Sequence, residues 1–264
     1  MEKFEIAFLG AAQGVTEFFP VSSTAHIMIF AWLFSWKDGG LDLAVWLHAG
    51  TLLAIFICLR KDWALIVRAL YRSSVSGSVK SAEARMGAGL LITALPAVAA
   101  GFLFEYAIAG VLRQPLVVGG GLIAGSAALF IADAGKEGTK RLSGVSIKDC
   151  VFFGIAQSFA LVPGVSRAGA SIAGGMFLGY TREDSAKFAF MMGVPAICAA
   201  IAHRVWRNGF TLPLDGEVIA GAAAATVTGI FAIRFLLSFA RRGSYTPFVI
   251  YRLAVAAVLI FVFI

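Results

Sequence analysis

The sequence predicts an all-α integral membrane protein, with six transmembrane helices plus two re-entrant half-helix hairpins in an inverted-topology repeat. Three observations carry that expectation. Of the 264 residues, 59% are hydrophobic and only 14% charged, with a mean hydropathy of +0.87; a soluble domain carries about 25% charge. Two of the apolar regions are broken at their centres by proline, serine and a charged side chain. The basic residues also fall unevenly on the two sides of the layout that results.

A bilayer core of about 30 Å takes about 20 apolar residues per spanning helix. The stretches 43–59, 86–104, 115–132, 187–203, 216–240 and 247–264 satisfy this and are read as the six spans. Segments 60–85, 105–114, 133–148, 204–215 and 241–246 are read as polar loops between them. Regions 4–35 and 150–180 would put their polar groups at mid-membrane if each were a simple span, and that is costly. A hairpin of two half-helices lining a protein cavity avoids the cost. A cleaved signal peptide fits 4–35 poorly, because Gln13, Glu17 and Pro20-Val21-Ser22-Ser23-Thr24 interrupt it.

With two hairpins and six spans, fourteen Lys/Arg lie on one side (in 60–85, 133–148, 181–187 and 241–246). Five lie on the other: Lys3, Lys37, Arg113, Arg204 and Arg207. The positive-inside rule then puts both termini outside the cytoplasm. The net charge of +7 reflects orientation and anionic lipid, not nucleic acid. A shift of 144 residues brings Gly10, Ala12, Gln13, Val21 and Ser22 onto Gly154, Ala156, Gln157, Val165 and Ser166. Three spans separate the two hairpins, and an odd number inverts the second copy. The chain is therefore read as one membrane domain, 1–264, with halves at about 4–133 and 150–264. Cys58, Cys150 and Cys198 show no CxxC spacing and read as unpaired packing residues.

Two motifs carry chemistry. In the first, Gln13 and Glu17 are i and i+4 and share a helix face. Pro20 ends that half-helix, Ser22, Ser23 and Thr24 suit the start of the next, and His26 lies within a turn of the hydroxyls. A proline kink with capping hydroxyls would explain the hydroxyls, but not Glu17 and His26 as well. In the second, Pro163-Gly164 forms a turn, Ser166 caps a half-helix, Arg167 sits in its first turn and Ser171 follows. A helix N-terminus beside an arginine is an anion site. Arg167 could equally be the structural partner of Glu17. Brought together, the breaks would offer an anion site holding a nucleophile and a base. Set in a bilayer, that site implies an amphiphilic substrate. His48 reads as a polar packing residue that could line the cavity. His203 reads as interfacial, and Glu105, Arg234 and Arg252 as structural bridges or snorkelling groups.

At these residues the sequence resembles the undecaprenyl-pyrophosphate phosphatase family of bacteria. The likeness covers essentially the whole chain. It is most specific in Gln13-x-x-x-Glu17, Phe19-Pro20-Val21-Ser22-Ser23-Thr24-Ala25-His26 and Pro163-Gly164-Val165-Ser166-Arg167-x-Gly169-Ala170, with Pro247-Phe248-x-Ile250-Tyr251-Arg252 fitting as well. The resemblance implies removal of the terminal phosphate of undecaprenyl diphosphate for cell-wall lipid-carrier recycling, and a link with bacitracin resistance. It implies Glu17, Ser23, His26 and Arg167 as catalytic residues, with Gln13, Ser22, Thr24, Gly164, Ser166 and Ser171 around the substrate. It also implies a divalent cation, Mg or Ca, held by Glu17 and the substrate phosphates. The expected setting is the bacterial inner membrane, with the site open to the non-cytoplasmic side. The partners are a polyprenyl diphosphate lipid and the membrane, no nucleic acid, with a homodimer left open. Two positions depart from many members, which have glutamate where this chain has Gln13 and serine where it has Ala168. The competing reading is a polyprenyl-phosphate transporter or flippase, since broken helices facing an anion also occur in transporters.

Overall fold

A computed structural model describes residues 3–36, 40–79, 81–207 and 215–264. Lys37, Lys80 and most of the 204–215 loop, used above in the basic-residue count and layout, lie outside the described residues. In chain order the helices are α1 (Lys3–Phe18), α2 (Ser23–Leu33), α3 (Gly40–Cys58), α4 (Arg60–Ser76), α5 (Ala82–Leu103), α6 (Glu105–Ala109), α7 (Pro115–Ala134), α8 (Ile147–Ser158), α9 (Arg167–Phe177), α10 (Arg182–Arg207), α11 (Gly216–Ala240) and α12 (Thr246–Phe263). Among the described residues no strand forms. The protein is an all-α integral membrane protein. Helices α5, α7, α10, α11 and α12 are each long and apolar enough to span, and α3 with α4 makes a sixth candidate bent by 85°.

Local sequence sets the helix ends. Ser81 caps α5 through the Ala84 N–H at 3.1 Å. Ser146 and Asp149 form a capping box at the start of α8. Proline opens α7 and lies in the first turn of α12, where its missing N–H costs nothing. The region read as a polar loop at 60–85 is largely helical instead. Its residues carry a 3.6 period, but with too little net hydrophobicity to register as a span. Likewise α10 begins at Arg182, five residues before the expected span.

The interrupted regions are pairs of short helices, α1 with α2 and α8 with α9. Helix α1 packs on α11 while α8 packs on α5, and α3 lies against α11 while α10 lies against α5. The α1–α11 contact is close enough that Gly10 faces the Gly221 backbone; a Cβ at Gly10 would collide with it. Ion pairs gather the basic loops at one end of the bundle, as the layout expected. Lys187 meets Asp62 at 2.7 Å, Arg182 meets Asp133 at 2.6 Å, and Arg241 meets Glu183 at 2.8 Å. Another cluster joins Glu105 to His203 and Arg207 at 3.6 and 3.8 Å. The three cysteines are unpaired, as expected.

Candidate active site

The two helix breaks are built alike. Ser22 caps α2 at φ 74° and Ser166 caps α9 at φ 73°, a backbone region that non-glycine residues seldom adopt. Their hydroxyls accept from the N–H groups of Ala25 (3.4 Å) and Gly169 (3.1 Å). The breaks also touch, because the Gly164 N–H donates to Ser22 Oγ at 3.2 Å. Arg252 of α12 holds them together. It is fully buried, and its guanidinium donates to the carbonyls of Pro20 (3.0 Å), Leu122 (3.3 Å), Gly164 (3.0 Å) and Val165 (2.8 Å). Of the two expected roles, Arg252 takes that of a structural bridge and does not snorkel. Its partners are three carbonyls of the breaks and one of α7.

Glu17, in the last turn of α1, is the hub. Its Oε1 accepts from Arg167 Nη2 at 2.6 Å and Nε at 3.2 Å, a two-pronged pairing. Its Oε2 accepts from Ser23 Oγ at 2.7 Å and Gln13 Nε2 at 3.0 Å. Arg167 Nη1 donates to the Ala189 carbonyl of α10 at 3.3 Å. Gly193, one turn on, leaves the space that the guanidinium fills; a Cβ there would strike it. The Glu17–Arg167 pair expected as a structural alternative is present, inside the same cluster as the serine.

His48 of α3 belongs to that cluster. Its Nε2 lies 3.3 Å from Glu17 Oε2 and 3.2 Å from Gln13 Nε2, while Nδ1 donates to the Ala44 carbonyl at 2.5 Å. With Nδ1 protonated, Nε2 either accepts from Gln13 or, as imidazolium, donates to Glu17. The reading of His48 as a packing residue is thus corrected. An imidazole two residues from Trp46 on an apolar run carries no signal of its own; only its tertiary partner reveals it.

His26 is the reverse case. Sequence proximity suggested that it pairs with a hydroxyl of the first motif. Instead its Nδ1 donates to the Ser22 carbonyl at 2.8 Å, its Nε2 accepts from the Tyr251 hydroxyl at 2.7 Å, and its ring stacks on that tyrosine. Ser23 donates to Glu17, and His26 faces α12.

A cavity of about 170 Å³ opens over the hub, walled by Glu17, Ser22, Ser23, Thr24, His48, Gln157, Ser166 and Arg167 among others. Gln13 lies behind Glu17, fully buried. His26, Gly164 and Ser171 do not line this cavity. Gly164 contributes its N–H to Ser22, and the Ser171 hydroxyl is buried without a partner. A second, apolar cavity of about 240 Å³ adjoins the first and shares Ala97, Leu161 and Ala196 with it.

Residues 6–258 match the family described as bacitracin resistance protein BacA. The chain belongs to this family. It is 37% identical to the undecaprenyl-diphosphatase of Moorella thermoacetica, over 100% of this chain and 98% of the relative. It is 36% identical to that of Geobacter metallireducens (100% and 99%) and 36% to that of Thermomicrobium roseum (99% and 98%).

The residues of this BacA-family site do not make a preformed divalent-cation site. Among the described residues no group of three or more His, Cys, Asp or Glu side chains converges. Both oxygens of Glu17 already accept from Arg167, Ser23 and Gln13. Gln13 Oε1 is a buried oxygen without a partner, but one neutral amide oxygen beside an engaged carboxylate is too few ligands.

Proposed function

We infer that the chain hydrolyses undecaprenyl diphosphate to undecaprenyl phosphate and inorganic phosphate, recycling the cell-wall lipid carrier. The observation that carries this reading is the Ser23 hydroxyl donating to a carboxylate that an arginine fork already grips, at the junction of two helix N-termini. Transport of a lipid phosphate needs an anion site but no nucleophile beside a base, so this pairing favours hydrolysis over a flippase. The adjoining apolar cavity gives the first isoprenoid units a place next to the phosphates.

In the reaction, the terminal phosphate enters between the two caps and takes the Arg167 fork from Glu17. The freed carboxylate then accepts the Ser23 proton as Oγ attacks the terminal phosphorus. The bond to the bridging oxygen breaks and the lipid monophosphate leaves. Glu17 passes that proton to the oxygen of the departing monophosphate, then takes a proton from the water that attacks the phosphoserine and returns it to Ser23 Oγ as inorganic phosphate is released. Arg167 and the N–H groups at the starts of α2 and α9 hold the charge on the phosphate oxygens throughout. His48, against the same carboxylate oxygen, is placed to share the proton. His26 and Tyr251 brace the first break. A divalent ion, Mg or Ca, would arrive with the diphosphate as most of its ligand set.

The same reading takes the halves as inverted copies, supported by the paired caps and by the exchanged packing of α1–α11 and α8–α5. It opens the site to the non-cytoplasmic side of the bacterial inner membrane, on the strength of the basic-residue asymmetry.

Purified protein given undecaprenyl diphosphate should release phosphate; lipid movement in vesicles without phosphate release would overturn the phosphatase reading in favour of transport. For orientation, a cysteine replacing the exposed Tyr106 should react with an impermeant thiol reagent on intact cells. Labelling only after lysis reverses the topology.

A further inference from the structure

We propose that α4 is an interfacial helix that binds anionic phospholipid headgroups through Lys61, Arg68 and Arg72. Helix α3 is an apolar helix, and α4 leaves its end at 85°. If α3 crosses the bilayer, α4 therefore runs along its surface. With 3.6 residues per turn the α4 side chains sort into three stripes.

The stripe Asp62, Ile66, Leu70 faces the protein. Asp62 accepts from Lys187 of α10 at 2.7 Å, Ile66 is buried, and Ile66 and Leu70 rest where only Gly87 of α5 leaves room. In the stripe Trp63, Val67, Tyr71, the first residue is partly buried against the main core cluster. Trp63 packs edge-on against Phe56, with ring centroids 5.4 Å apart. Phe56 is 38% exposed in the last turn of α3, so if α3 crosses the bilayer this stripe turns toward it. Val67 and Tyr71 follow Trp63 with 60% and 71% exposure. Such exposure suits an acyl–headgroup boundary for an aromatic and a branched aliphatic side chain.

The third stripe is Lys61, Arg68 and Arg72, within an arc of about 40° on the wheel and all exposed. Arg60 precedes it. Asp62 is the helix's sole acid and is engaged by Lys187, so the charges on the outward face are all cationic, with the exposed Leu65 and Val75 flanking them. Cations beside an apolar stripe at a flat angle to the spans match phosphodiester headgroups over acyl chains. A soluble protein partner would instead leave Val67 and Tyr71 in water.

The test uses full-length protein in phosphatidylcholine vesicles with and without phosphatidylglycerol, with Cys58, Cys150 and Cys198 replaced by alanine. Nitroxides are attached at Val67→Cys, Tyr71→Cys and Arg68→Cys. Positions 67 and 71 should be relaxed by oxygen and position 68 by a soluble nickel chelate. Spin-labelled phosphatidylglycerol should associate in preference to phosphatidylcholine. The triple variant Lys61→Gln/Arg68→Gln/Arg72→Gln should lower that preference by roughly three- to tenfold while phosphate release persists. Equal aqueous exposure of all three positions overturns the proposal and marks α4 as a surface for a soluble partner. An unchanged phosphatidylglycerol preference also overturns it. If the triple variant does not assemble, the three single neutralisations are read by the same criterion, each expected to lower the preference.

Discussion

The two helix breaks share a backbone but divide the chemistry. Each carries a serine cap at positive φ, at positions 144 residues apart, and each starts a half-helix with the following residue. In the first copy that residue is Ser23; in the second it is Arg167. On the proposed mechanism, nucleophile and phosphate clamp occupy equivalent positions after the two caps. Glu17 corresponds by the same shift to Leu161, which lines both cavities, so the first copy keeps the acid where the second keeps an apolar wall. On that mechanism the two breaks bring a carboxylate and a guanidinium to one phosphate, which a single helix N-terminus cannot do.

That division predicts unequal responses at the two equivalent positions. Ser23→Ala removes the attacking oxygen and should lower turnover by roughly 10³-fold or more, with the protein still folded. Near-normal phosphate release would exclude Ser23 as nucleophile. Arg167→Lys should be almost as damaging as Arg167→Ala, on the order of 10²-fold, because an ammonium cannot replace the planar fork and also reach the Ala189 carbonyl. Lysine restoring most activity would show that the second copy contributes charge and not geometry.

The acidic side of the comparison is tested through Glu17 and Gln13. Glu17→Gln should cost about 10²-fold in turnover, the scale of a positioned base. Gln13→Ala should cost less, since Gln13 only donates one bond to Glu17. Gln13→Glu should keep activity and bind Mg or Ca better in the absence of lipid. Calorimetric titration of lipid-free protein checks this: tight binding by the unsubstituted chain would show that the site is preformed for metal after all.

These contrasts also show what could be read in the sequence. Glu17 and Arg167 stand out because charge inside an apolar run needs a reason, and the proline-serine breaks around them announce irregular backbone. The spans follow from hydropathy alone. Helix α4 did not, because its stripes sum to a polar average although each is periodic. The partners of His26 were not legible, because closeness along the chain does not fix direction. Ser23, the first residue of α2, reaches back to α1, whereas His26, three residues on, turns toward Tyr251. Arg252 could not be assigned because its partners are main-chain carbonyls, which have no residue identity to match.

Arg252 serves both breaks, so its loss should not discriminate between them. Arg252→Met leaves the carbonyls of Pro20, Gly164 and Val165 without this donor, at about 1–3 kcal/mol for each group that finds no new one, while Leu122 keeps the Ser126 hydroxyl. Removing a buried charge offsets part of that cost. A net destabilisation of ~3 kcal/mol is expected, measured as unfolding in detergent, with loss of activity following loss of structure. A stable but inactive variant would place Arg252 in the chemistry instead.

The smallest effects separate the two caps themselves. At φ near 73° an alanine keeps the steric penalty of a Cβ and loses the hydroxyl, whereas glycine loses the hydroxyl but relieves the penalty. Replacing a capping serine by glycine normally costs only a few tenths of a kcal/mol. Ser166→Gly should therefore be nearly neutral, and Ser166→Ala worse by about 1 kcal/mol. Ser22 has a second duty, since its Oγ also accepts the buried Gly164 N–H from the opposite break. Ser22→Gly leaves that donor unpaired and should cost about 1–3 kcal/mol more than Ser166→Gly. Thermal unfolding of the four variants in one detergent measures the ordering. Equal losses at the two glycine variants would mean that the Ser22–Gly164 bond adds nothing, and that Arg252 and the Glu17–Arg167 pair hold the breaks together without it.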